Sequence, residues 1–74
     1  MKKSKIVGFR RFIGKGENGG HIDMCFIGLE DGASIGVNGS EVKLVLKLML
    51  AGMSVEYTPK GKDQKYDKFH QYCK

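Results

Sequence analysis

Cysteine is scarce in this chain, no apolar run is long, and the first fifteen residues hold no acid. Each shortage removes a class of protein. Cys25 and Cys73 can form at most one bridge, too few for the stapled framework of a small secreted domain. The start, MKKSKIVGF, has no apolar stretch of signal-peptide length, so a reduced, cytoplasmic protein is expected. The greasiest segment, VKLVLKLMLAG from Val42 to Gly52, is interrupted by Lys43 and Lys47. It falls far short of the roughly 18 to 20 residues that cross a bilayer, so no membrane role is expected. Internal repeats and low-complexity linkers are missing too, which leaves residues 1–74 as a single domain.

Acid and base are separated along the chain. Residues 1 to 15 carry +6, residues 16 to 42 carry −5, and residues 43 to 74 carry +4, for a net charge of +5. Two basic ends around an acidic middle suit a molecule with one face for polyanions and another for something else. A chain of 74 residues is also near the size at which one hydrophobic core barely holds a fold, so help from a second subunit is expected.

The local patterns predict α+β, with a small antiparallel sheet in the order β-β-β-α-β plus a C-terminal helix or strand. Lys5 to Ile13 is rich in β-branched and aromatic residues and stops at a glycine cluster, as a strand does. In HIDMCFIGLEDGASIGV, Asp31-Gly32 suits a two-residue hairpin turn. That turn pairs Glu30 with Ala33, Gly28 with Ile35 and Phe26 with Val37. It gathers Ile22, Met24, Phe26, Ile35 and Val37 as a core face, and leaves His21, Asp23, Cys25, Ile27 and Leu29 beside Ser34 and Gly36 on the other. Ser40 is the expected N-cap of a helix from Glu41 to Ala51, with Gly52 as its C′ residue.

That helix is apolar over more than the single face of about 100° usual at a surface. Val42, Val45, Leu46, Met49 and Leu50 form one stripe, predicted to lie on the sheet. Leu44, Leu48 and Ala51 form another, predicted to be a homodimer interface. Met53 to Thr58 alternates as a strand with Met53, Val55 and Tyr57 inward. In the tail, Tyr66, Phe69, His70 and Cys73 follow helical spacing, which favours helix there over strand. The element order, with a fifth strand, is also that of an OB-fold barrel, whose strand faces bind oligonucleotides; an OB-like sheet is therefore one arrangement to expect.

Candidate chemistry is sparse. GKGENGG, Gly14 to Gly20, contains G-x-G-x-x-G, but a dinucleotide fingerprint needs a helix next and a strand-like HIDMCFI follows. His21, Cys25, His70 and Cys73 make a nominal zinc set. On a strand rising about 3.3 Å per residue, however, His21 and Cys25 lie roughly 13 Å apart, whereas zinc ligands sit about 2.0 to 2.3 Å from the metal. His70 and Cys73 with Asp23 is the remaining combination, and no metal site is expected. Nor is a cofactor or an enzyme, because so small a chain is not expected to frame a cleft of several hundred Å³.

Nucleic-acid binding is the leading expectation. GFRRFIGK and KGKDQKYDKFHQY interleave cations with aromatics; cations neutralise phosphates and aromatics stack on bases. Arg10, Arg11, Lys15, Lys60, Lys62 and Lys65 are the expected phosphate contacts, with Phe12 and Tyr66 for stacking. The contrasting expectation is a small inhibitor or sequestering protein of the phage or mobile-element kind. It would hold a protein partner on the acidic Glu30-Asp31 hairpin, or a nucleotide between two subunits at GKGENGG.

Overall fold

The computed structural model describes residues 1–74. Five antiparallel strands form one sheet: β1 Lys2–Lys15, β2 His21–Leu29, β3 Ser34–Asn38, β4 Ser54–Thr58 and β5 Lys68–Cys73, in the order β3-β2-β1-β4-β5. A 3-10 turn, Gly39–Glu41, runs into the single helix α1, Val42–Leu50. The long β1 joins the two halves of the sheet. Its residues Lys2 to Lys5 pair with β4, and Ile6 to Lys15 pair with β2. The outer strands β3 and β5 touch without forming a ladder, so the sheet curls around its core but is not hydrogen-bonded into a closed barrel.

The hairpin β2–β3 departs from expectation by one residue, and the consequence is large. Its loop has three residues rather than two: the Leu29 amide donates to the Ala33 carbonyl at 2.9 Å and the Gly32 amide to the Leu29 carbonyl at 2.9 Å. Gly32 takes φ +92°, the left-handed conformation that this kind of loop asks of its last residue. Ile27 therefore sits opposite Ile35, and Cys25 opposite Val37. Side chains alternate with period two, so a slip of one exchanges the faces of a strand. The buried side of β2 is Cys25, Ile27 and Leu29, while Ile22, Met24 and Phe26 lie on the other.

Strands β1 and β5 each carry a bulge that re-phases them. On β1 the extra residue is Val7, between the pairs Ile6–Leu29 and Gly8–Gly28. Ile6 and Phe9, three apart, therefore both turn toward the core. On β5 the extra residue is His70, between Phe69–Tyr57 and Gln71–Glu56. Phe69 and Tyr72 thereby share the inner side, with ring centroids 4.9 Å apart. Spacing of three reads as helix when no bulge is foreseen; here Lys68–Cys73 is a strand, which corrects the helix favoured for the tail.

The helix closes one end of the core. Val45 is fully buried in it, with Val42, Leu48 and Met49 packed alongside. Leu46 and Leu50, expected on the sheet, are exposed instead, and Leu50 is 76% open to solvent. The excess of leucine thus does not make an enclosed apolar helix. Asn38, not Ser40, starts the turn: its side-chain oxygen accepts the Ser40 amide at 3.0 Å. Gly52, at φ +73°, ends the helix as the pattern predicts. Its amide donates to the Met49 carbonyl at 3.0 Å, and the Met53 amide to the Leu48 carbonyl at 2.9 Å, the paired bonds of a Schellman stop.

The hydroxyl of Tyr72 is buried with no hydrogen-bond partner. Burial, reinforced by the nearby Glu41 carboxylate, pushes its pKa up to about 12. A buried oxygen left unpaired costs more than its removal. Tyr72→Phe is therefore expected to stabilise the fold by about 1 kcal/mol, which is roughly 4 to 8 °C in Tm for a domain of this size. A thermal melt measures this directly, and a lower Tm in the variant would contradict the assignment.

Candidate nucleic-acid interface

Once the faces of β1 and β2 are fixed by the register, the side of the sheet away from the core can be read row by row. Gly8, Gly28 and Ser34 form one row, Arg10, Phe26 and Gly36 the next, then Phe12, Met24 and Asn38, and last Gly14 and Ile22. Glycine beside aromatic is the theme. A Cβ on Gly14 would lie 2.9 Å from the tip of the Phe12 ring, and one on Gly36 would lie 3.7 Å from the Phe26 ring. The Phe12 and Phe26 rings thus lie against glycine backbone.

A groove of about 560 Å³ opens on this side, lined by Phe12, Ile22, Met24, Phe26 and Gly36 from the sheet and by Tyr66 and Asp67 from the loop between β4 and β5. The expectation that so short a chain frames no cleft is therefore wrong. Phe12 and Tyr66, 47% and 76% exposed, come together although 54 positions separate them in the sequence. Phe26 and Met24 were missed as lining residues because the two-residue turn put them in the core.

The loop that brings Tyr66 is tied at both ends. The Lys60 amide donates to Asp67 Oδ1 at 2.8 Å, and the Gly61 amide donates to Gln64 Oε1 at 3.0 Å. Lys60, Lys62 and Lys65 are exposed on the same loop. Arg10, level with Phe26, shares the groove's side of the sheet. Arg11 and Lys15 belong to the opposite side by alternation, and Arg11 is already engaged: its Nε and a terminal nitrogen donate to the two Asp23 oxygens at 2.8 and 2.6 Å. This fork holds the Asp23 carboxyl below its ordinary range and raises the guanidinium.

The other candidates are dispersed. In GKGENGG the amides of Gly16 and Gly19 donate within the turn, at 2.7 and 3.0 Å, and the Gly20 amide donates to Asn18 Oδ1 at 3.2 Å. The glycines thus spend their amides closing a hairpin rather than cradling a phosphate. Burial pushes the Cys25 and Cys73 thiols up, away from the thiolate. No three His, Cys, Asp or Glu side chains gather where they could hold a metal ion. Of the residues expected at a dimer interface, Leu44 and Ala51 are exposed, while Leu48 packs on the core.

Asp31, expected to face a protein partner, is a structural residue. Its Oδ1 accepts the Ala33 amide at 3.0 Å, its Oδ2 accepts the Tyr57 hydroxyl, and its own amide donates to Ser4 Oγ at 3.0 Å. Bonding to Tyr57 holds the carboxyl below its usual range and pushes the Tyr57 phenol up to about 12. The acidic turn is therefore pinned to the start of β1 and to β4 through Asp31, although both Glu30 and Asp31 remain exposed. Comparison with known proteins found no matching family model, no similar curated protein and no similar solved structure.

Proposed function

We propose that this chain is a small, basic, non-enzymatic module that binds single-stranded nucleic acid and acts as a homodimer. The convergence of Phe12, Phe26 and Tyr66 on one groove carries the proposal. Stacked bases lie on such rings at about 1 to 3 kcal/mol each. The phosphates run along the rim, where Arg10, Lys60, Lys62 and Lys65 are exposed. A duplex hides the faces of its bases, so a platform of open rings suits unpaired ones. The chain order of three strands, a helix and two further strands supports this reading, because OB-fold barrels share that order and take oligonucleotides on a strand face and on the loops after β1 and β4. This is support by analogy of fold, and the site carries the function.

Self-association is part of the proposal because Leu44, Leu46 and Leu50 remain in solvent, and a second copy would remove them from it. Salt titration of a fluorescent oligonucleotide, with the solution mass followed by sedimentation, tests both parts. Four engaged cations on a single strand give a slope of log affinity against log salt of about −2.8. Absence of binding at low salt refutes the nucleic-acid role, and a monomer at high concentration refutes the pairing.

A further inference from the structure

The groove's lining holds one charged group, a carboxylate, and that carboxylate has a spare oxygen. Asp67 lines the groove and is half-buried. One of its oxygens, Oδ1, accepts the Lys60 amide at 2.8 Å. The other has no hydrogen bond or ion pair within the protein, whose one salt bridge joins Arg11 to Asp23. A phosphate would be repelled there, which places the backbone of a bound strand on the lysine rim and the bases inside. An unpaired carboxylate oxygen beside stacking rings needs a donor from the ligand, since a polar group stripped of water and left unpaired is costly.

Resting on the nucleic-acid reading above, we infer that Asp67 selects the base: the groove prefers bases that present an exocyclic amino group, cytosine over uracil in the sharpest comparison. Cytosine and uracil stack with similar flat rings but differ at position 4. The amino group of cytosine donates, and aspartate or glutamate is a natural acceptor for it. The carbonyl of uracil meets the carboxylate lone pair against lone pair. Tyr66, next in sequence, holds the ring while Asp67 tests its edge.

The test compares twelve-residue oligodeoxycytidine and oligodeoxyuridine by fluorescence anisotropy at pH 7.5 and low salt, with the native chain and with Asp67→Asn. The native chain is expected to bind the cytidine strand about tenfold more tightly, the effect of one charge-assisted hydrogen bond. In the variant, the amide oxygen can still accept the Lys60 amide, which puts the side-chain amino group where the spare oxygen was. A donor there favours the uracil carbonyl, so the preference is expected to reverse. Loss of loop structure alone would weaken both strands and reverse nothing. Equal affinities in the native chain, or an unchanged preference in the variant, overturn the role of Asp67 and leave the groove's function standing. If neither strand binds, both are overturned.

Discussion

Alanine at Phe12 and Tyr66 together is expected to weaken binding of a single-stranded oligonucleotide roughly 30-fold to 20,000-fold, from two stacked bases at about 1 to 3 kcal/mol each. The fold is expected to survive, because Phe12 and Tyr66 are among the large apolar side chains left open to solvent and neither belongs to the core cluster. An anisotropy titration and a thermal melt on the same sample separate the two effects. The salt slope should be unchanged, since no cation is removed. Arg11→Ala is the contrasting variant: its guanidinium is committed to Asp23, so binding should hardly change. If the double variant binds as well as the native chain, the groove is not the site. If Arg11→Ala is the more damaging, the ligand lies on the other side of the sheet.

The second large effect concerns neighbouring residues with opposite fates. Ile27 is fully buried, and Ile27→Ala is expected to cost about 2 to 5 kcal/mol through lost contact and the cavity left behind. In a domain whose whole stability is on the order of 5 to 15 kcal/mol, that lowers Tm by roughly 10 °C or more. Phe26 is half-buried in the groove. Phe26→Ala should therefore move Tm less and reduce oligonucleotide affinity instead. Thermal melts of the two variants decide the matter, and a larger loss of stability at 26 than at 27 would reverse the faces of β2.

That pair also shows what could be read from the sequence and what could not. The order of the first elements, the inward Val55 and Tyr57, and the stop at Gly52 follow from local preference, and local preference governs them in the fold. Phe12 lies on the side of Arg10, as alternation along a strand requires. The misreadings of the strands share a cause. A three-residue turn at Glu30 to Gly32 and single extra residues at Val7 and His70 each shift a strand by one step. Nothing in composition marks such a step, yet each reverses which residues are inside. The groove escaped for the same reason, because Phe26 and Met24 were assigned to the core and Tyr66 reaches Phe12 only through the pairing of β5 with β4.

The turn at Gly32 has a consequence for how chains of this kind can vary. Deleting or adding one residue there would swap inside for outside along Ile22–Leu29, so length at this tip is under strict constraint. The glycine-rich connection from Gly16 to Gly20 lies at the far end of the same ribbon, with Glu17 to Gly20 exposed, so residues added at its tip disturb no packing. Insertions accumulated by divergence should crowd into that second loop and spare the first.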